Sequence, residues 1–218
     1  MEITRIIDYT NLKPEATETD IKKLCQEAKE YGFRAVCVNP IWVPFCVDKL
    51  KGTSTKIASV IDFPLGAGGT QNRLNQVKIA KETGASEIDI VMPSGLFKSG
   101  NYQAVLDDLK AIVGVGLPIK VIIETGLLTD EEIKKASGIV KESGAFCVKT
   151  STGFMANIDI DTKVGHVRLM REAVGPDFQI KAAGGIKTLK DIKRLLEAGA
   201  NIIGTSAWVE IMKEMRNS

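Results

Sequence analysis

The chain has 218 residues, 44% of them hydrophobic and 26% charged, with a formal net charge of +2. These values are typical of one folded domain, which we expect to span 1–218, and they argue against nucleic-acid or anionic-membrane binding. Without an apolar signal segment or a long apolar run, the sequence indicates a soluble, cytoplasmic protein.

A unit of amphipathic helix, glycine and short apolar strand recurs along the chain. In the first unit, apolar residues at helical spacing precede Gly32, which leads into the strand Ala35–Val38. Threonine followed three residues later by an acid predicts helix starts at Thr17, Thr129 and Thr188.

Eight short strands, largely apolar on both faces, alternate with about eight helices. This pattern is typical of a parallel sheet covered by helices. In chain order the predicted strands are Ile6–Tyr9, Ala35–Val38, Ile57–Ile61, Glu87–Val91, Ile119–Ile123, Phe146–Lys149, Phe178–Lys181 and Asn201–Gly204. The count favours an α/β fold of a single domain, a closed (β/α)₈ TIM barrel, over an open doubly wound sheet.

Histidine and cysteine are too few for the common metal and redox sites. His166 is the single histidine, in a stretch that indicates a polar helix and a surface position, so a His-rich zinc site is excluded. The four cysteines, which include no Cys-x-x-Cys pair, are Cys25, Cys37, Cys46 and Cys147. We expect no metal, and an enzyme of this composition would use lysines, carboxylates and hydroxyls.

Polar side chains end several of the predicted strands. In a (β/α)₈ barrel, catalysis takes place at the carboxyl ends of the strands, so these residues are candidates. They are Asp8, Asn39, Asp62, Asp89, Glu124, Lys149–Thr152 and Lys181. Because a charge in such a position is costly to desolvate unless it is paired, a structural ion-pair network stays open as an alternative.

Lys149 and Lys181 end consecutive predicted strands, which lie about 5 Å apart in a parallel sheet. Repulsion between the two ammonium groups favours the neutral form of one, and a neutral amine can attack a carbonyl carbon to form a Schiff base. Such a site needs neither metal nor cofactor. Alternatively, both lysines are held in a charge network with Asp89 and Glu124.

Glycine-bearing loops follow the last two strands. Gly184 and Gly185 come directly after the strand of Lys181, and Ser206 follows the last strand. Barrels commonly bind phosphate with backbone N–H groups at these two places. The sequence therefore indicates a phosphate-binding site.

Several motifs, in order over nearly the whole chain, resemble signature segments of the deoxyribose-phosphate aldolase family. They are DxTxLKP from Asp8, VCVNP from Val36, FPLG from Phe63, EID from Glu87, VIIET from Val121, VKTSTGF from Val148 and KAAGGI from Lys181. The resemblance implies a class I aldolase, without a cofactor, that reversibly cleaves 2-deoxy-D-ribose 5-phosphate to D-glyceraldehyde 3-phosphate and acetaldehyde. The expected partners are this phosphorylated sugar and further copies of the chain, in a homodimer or dimer-based homo-oligomer.

The resemblance also implies residue roles. Lys149 is the Schiff-base lysine, Lys181 the neighbouring cation that favours its neutral form, and Asp89 the carboxylate that moves protons with Lys181 and bound water. Around the sugar and its phosphate the family places Asp8, Cys37, Thr152, Gly184, Gly185 and Ser206. Retro-aldol cleavage needs an electron sink, a base and an acid, which lysine, carboxylate and relayed water supply.

The chain departs from the family pattern at Tyr9, Asp62, Gly126 and the segments 92–97 and 155–162. Asp62 weighs most, because an added carboxylate at the barrel mouth can repel a phosphorylated substrate or change the charge of a lysine. Three alternatives stay open. They are a Schiff-base aldolase with another aldehyde acceptor, a non-covalent phosphosugar isomerase or synthase with Asp89 or Glu124 as base, and a phosphometabolite-binding barrel without turnover.

Overall fold

A computed structural model describes residues 3–155 and 158–216 of the chain. Within these residues eight parallel strands form a closed barrel in sequence order, and β1 pairs with both β2 and β8. The strands are β1 (Ile7–Asn11), β2 (Ala35–Val38), β3 (Lys56–Ile61), β4 (Glu87–Val91), β5 (Ile119–Ile122), β6 (Cys147–Lys149), β7 (Gln179–Ala183) and β8 (Ile202–Thr205). The (β/α)₈ barrel is confirmed, and predicted strand ends differ from these by at most two residues.

Helices join successive strands and cover the outside of the barrel. They are α1 (Glu18–Tyr31), α2 (Val43–Lys49), α3 (Thr70–Glu82), α4 (Ser94–Lys98), α5 (Tyr102–Val113), α6 (Asp130–Glu142), α7 (Ile160–Val174), α8 (Leu189–Glu197) and α9 (Trp208–Arg216). The capping boxes predicted at Thr17, Thr129 and Thr188 are all formed. None of the helices in the described part of the chain is long and apolar enough to cross a membrane.

The two faces of the strands differ in chemistry. Outward residues such as Ile88 and Ile90 belong to the main apolar core between the barrel and its helices. Inside the barrel, a small apolar cluster of Leu12, Cys37, Ala58 and Val60 lies beside a group of buried charges. Since side chains alternate along a strand, Glu87 and Asp89 of β4 point inward between the outward isoleucines.

Candidate active site

The candidate site is a cavity of about 410 Å³ at the carboxyl ends of the strands. Five of the predicted site residues line it: Lys149, Thr152, Gly184, Gly185 and Ser206. The other four are fully buried below it, inside the barrel: Asp8, Cys37, Asp89 and Lys181. The barrel therefore brings all nine together, in two layers that Lys149 connects.

Asp89 lies between the two predicted lysines. Its Oδ2 atom is 2.7 Å from Nζ of Lys149 and 2.8 Å from Nζ of Lys181. Lys149 and Lys181 are register partners on the neighbouring strands β6 and β7. The predicted closeness of the two lysines is confirmed. Of the charge-network alternative, the structure shows the part that involves Asp89, which pairs with both lysines. It does not show the part that involves Glu124, which accepts a hydrogen bond from Thr152 instead.

A third buried lysine, Lys120, was not recognised from the sequence. Its Nζ atom lies 2.7 Å from Glu87, 2.9 Å from Asp89 and 3.3 Å from Asp8. The available signal was a lysine inside the apolar strand β5, opposite Asp89 in the register. Lys120 escaped attention because it lies within its strand and not at the end.

The buried charges do not balance. Among the described residues, the inner cluster has four cations and three carboxylates: Lys120, Lys149, Lys181 and Arg34 against Asp8, Glu87 and Asp89. Lys56 reaches Glu87 from the half-exposed outer end. An excess positive charge in a desolvated interior favours the release of one proton from the cluster. Lys149 contacts one carboxylate and is the only member that lines the cavity.

The protonation states of the deeper groups follow from their neighbours. Burial alone would raise the pKa of Asp89, but Lys120, Lys149 and Lys181 hold this pKa well below its usual range. Burial alone would lower the pKa of Lys181, but Asp8 and Asp89 outweigh it and raise this pKa above the ordinary lysine value. Asp89 is therefore an ionised carboxylate and Lys181 a cation at neutral pH.

Asp8 and Cys37 have positions that change their predicted roles. Both carboxylate oxygens of Asp8 are used inside the barrel, at 2.6 Å from Arg34 and 2.6 Å from Lys181. The thiol of Cys37 lies 3.9 Å from Asp89, and burial raises its pKa, so the sulfur is a neutral packing group. Neither side chain lines the cavity; Asp8 instead holds Lys181 in place.

Glu124 fixes the loop that follows β6. Its Oε2 atom accepts hydrogen bonds from the backbone N–H of Thr152 at 2.9 Å and from the hydroxyl at 2.5 Å. The hydroxyl oxygen of Thr152 in turn accepts a bond from the backbone N–H of Phe154. Glu124 adopts φ 50°, a left-handed conformation that non-glycine residues rarely take. It is thus a positioning residue for Thr152.

The diglycine of the β7–α8 loop is required by its backbone. Gly184 and Gly185 have φ values of 83° and 70°. A Cβ atom on Gly184 would lie 3.4 Å from Cα of Gly153, so two loops approach each other closely here. A Cβ atom on Gly185 would meet nothing within 4 Å, which leaves its backbone open to the cavity. Ser206, between β8 and α9, is exposed at the same cavity.

Two of the departures from the motif pattern, Asp62 and Tyr9, have defined side-chain partners in the structure. Asp62 pairs with Arg73 at 2.6 Å and accepts a hydrogen bond from the backbone N–H of Gly68. Tyr9 lines the cavity, and its hydroxyl donates to Glu27 at 2.7 Å. His166 lies on α7, as expected, and is partly exposed. The altered segment 155–162 includes two positions that lie outside the described residues.

Among the described residues, no group of three or more His, Cys, Asp or Glu side chains could hold a metal ion. The fold and the buried lysine–carboxylate cluster are those of an aldolase barrel, and the chain belongs to the DeoC/LacD family of aldolases, whose model matches residues 6–208.

Similar proteins cover nearly the whole chain. The deoxyribose-phosphate aldolase of Thermococcus gammatolerans is 49% identical over 224 residues, 100% of this chain and 98% of the relative. That of Mycoplasmopsis pulmonis is 47% identical and covers 98% of this chain and 96% of its own. The solved tetrameric deoxyribose phosphate aldolase from Aeropyrum pernix superimposes with a TM-score of 0.88, at 32% identity, over 98% of this chain and 91% of that one.

Proposed function

We propose that the protein is a class I aldolase that reversibly cleaves 2-deoxy-D-ribose 5-phosphate to D-glyceraldehyde 3-phosphate and acetaldehyde. The names of the similar proteins support this substrate. The observation that carries the proposal is the position of Lys149, which lines the cavity while its Nζ atom contacts Asp89 of the buried cluster.

The first step is attack by Lys149 on the aldehyde carbon of the open-chain sugar. The amine must be neutral to attack, and Lys149 contacts only Asp89, whereas Lys181 and Lys120 pair with two and three carboxylates. Addition of the amine and loss of water give a protonated imine on Lys149. This imine draws electrons from the C2–C3 bond.

The next steps move protons. The C3 hydroxyl loses its proton as the C2–C3 bond breaks, glyceraldehyde 3-phosphate departs, and an enamine remains on Lys149. The enamine carbon then accepts a proton, and water releases acetaldehyde. Asp89 touches both lysines and Lys181 carries the proton, so the pair is placed to relay protons through water to the reacting carbon.

The phosphate occupies the far side of the cavity. Backbone N–H groups of Gly184, Gly185 and Ser206 would hold it, and Thr152, fixed by Glu124, would border the sugar between the phosphate and Lys149. Open backbone at Gly185 supports this placement. Oxyanions bind well to such loops because several N–H dipoles converge on them.

Trapping with acetaldehyde and borohydride tests the proposal. The reduced two-carbon adduct should appear in the intact mass of the protein and map to the peptide of Lys149. Lys149→Arg should abolish it, because a guanidinium keeps its charge and forms no imine. A label on another lysine overturns the assignment, and no label at all selects an isomerase, a synthase or a binding protein.

We infer further that the protein acts in the cytoplasm as a homodimer or dimer-based homo-oligomer. Its composition and the tetrameric relative from Aeropyrum pernix support this inference. Light scattering coupled to size-exclusion chromatography gives the assembly mass, and a monomer at micromolar concentration contradicts it.

A further inference from the structure

Lys163, in the first turn of α7, is a buried cation that the mechanism above does not use. Its exposed fraction is 2%, and its Nζ atom donates to the Ser151 hydroxyl at 3.4 Å. Among the described residues, no carboxylate lies within ion-pair distance of it. Burial lowers the pKa of Lys163, and attraction to Glu124 and Asp159 offsets this only in part. A buried lysine without a paired anion is costly and needs an explanation.

Lys163 lines a second cavity, of about 130 Å³, behind the diglycine loop. Four residues border both this cavity and the main one: Gly153, Phe154, Gly184 and Gly185. The wall between the two cavities is therefore made largely of glycine backbone, with Gly153 and Gly184 in close approach. Lys163 lines the second cavity and not the main one.

Glu124 does not satisfy Lys163. Its Oε2 atom accepts both bonds from Thr152, and Oε1 is buried without a hydrogen-bond partner. Asp159 caps α7 by accepting bonds from Thr162. Neither carboxylate therefore forms an ion pair with Lys163, which lines the small cavity together with Gly153, Gly184 and Gly185.

We propose that Lys163 is a specificity-determining residue that binds the phosphate group of the substrate across the diglycine loop. The proposal deepens the proposed function and rests on it. A phosphate dianion on the N–H groups of Gly184 and Gly185 brings the missing anion next to Lys163. The ammonium group and the loop N–H groups then share its oxygens, and the cost of burying the lysine is recovered only when a phosphorylated molecule binds.

The test compares Lys163→Met with Arg168→Met, which removes an exposed cation from the same helix. The ratio of kcat/KM for 2-deoxyribose 5-phosphate to that for 2-deoxyribose is measured for each. We expect Lys163→Met to lower this ratio about 10- to 100-fold, the worth of one charge-assisted bond, mainly through KM. The rate with plain 2-deoxyribose, the trapping of acetaldehyde at Lys149 and the Arg168→Met ratio should each stay within about twofold of wild type.

The melting temperature separates the proposal from a purely structural role of Lys163. If the proposal is right, removing an unpaired buried cation should raise the melting temperature of Lys163→Met, whereas a structural role would lower it. Lys163→Gln supplies a second neutral variant should the first fold poorly. Calorimetric titration with inorganic phosphate measures the anion site without turnover, and its Kd should rise by the same factor in both variants. A ratio and a phosphate Kd within twofold of wild type overturn the proposal. Failure of the wild type to trap acetaldehyde would instead overturn the aldolase mechanism, with the phosphate titration still deciding the role of Lys163.

Discussion

Replacing Lys181 with methionine removes one cation from a cluster that has four cations for three carboxylates. The variant keeps the length of the side chain, and Asp8 and Asp89 retain other cationic partners, Arg34 and Lys120 among them. Lys149 then lacks the repulsion of a second ammonium group on the neighbouring strand. Imine formation at neutral pH should therefore slow.

The magnitude follows from the separation of the two lysines. Like charges about 5 Å apart, the spacing of neighbouring strands, repel by about 3 kcal/mol at an effective dielectric constant of about 20. That energy corresponds to about 100- to 300-fold in an equilibrium. We expect Lys181→Met to trap acetaldehyde slower by this factor at pH 7. The deficit should shrink as pH rises towards the ordinary lysine range near 10.4.

The assay measures the rate at which the borohydride-trapped adduct forms. Mass spectrometry follows this rate from about pH 6 to about pH 10, at intervals of about one pH unit. Lys98→Met is the matched control, because Lys98 also pairs with a carboxylate, Glu132 at 2.6 Å, but at the surface. Breaking the buried pairs should also destabilise Lys181→Met, by up to about 3–5 kcal/mol, so trapping is run well below its melting temperature. Trapping at the wild-type rate at pH 7, or a deficit that does not change with pH, refutes the two-lysine reasoning.

Three further changes separate the parts of the site. Asp89→Asn leaves more excess positive charge beside Lys149, so adduct formation should persist. Cleavage of the phosphorylated sugar should fall by at least about 100-fold, as expected for the loss of a general acid–base group. Equal losses in both assays would contradict this assignment. Gly185→Asp places a carboxylate in open space at the phosphate loop. The preference for the phosphorylated over the plain sugar, measured by substrate competition, should drop about 100-fold, while trapping of acetaldehyde stays intact. Gly204→Ala puts a Cβ atom 3.0 Å from Cε of Lys181, so kcat should fall through displacement of that lysine, and an unchanged kcat would show that the cluster tolerates the shift.

The barrel could be predicted from the sequence because each of its helix–strand units has a recognisable local sequence pattern. Each unit has apolar residues at helical spacing, a glycine at the helix end and an apolar strand. The four-residue capping boxes that begin at Thr17, Thr129 and Thr188 mark the starts of three helices. Lys149 and Lys181 could be predicted for a similar reason, because each follows a short apolar run in the sequence.

The rest of the site depends on contacts that no local pattern records. Lys120 belongs to the cluster because β5 turns that side chain inward, and Arg34 pairs with Asp8 only once β1 and β2 lie side by side. The sequence also does not show how deeply a side chain is buried, and Asp8 lies below the cavity rather than in its wall. The neutralisation of Asp62 by Arg73, and the burial of Lys163, likewise depend on how helices pack on the barrel.

The pairing of Asp8 with Lys181 joins groups 173 residues apart in the sequence. Barrel closure between β1 and β8 joins residues still farther apart, such as Ile7 and Ile203, so the complete centre requires nearly the whole chain. Contacts of such long range form late, because the loop-closure entropy must be overcome before they contribute any stability. Until then Asp8 stays in water with no lysine beside it. Imine-forming activity is thus acquired in a single event at the end of folding. The time at which Lys149 becomes trappable during refolding would therefore report when the barrel closes.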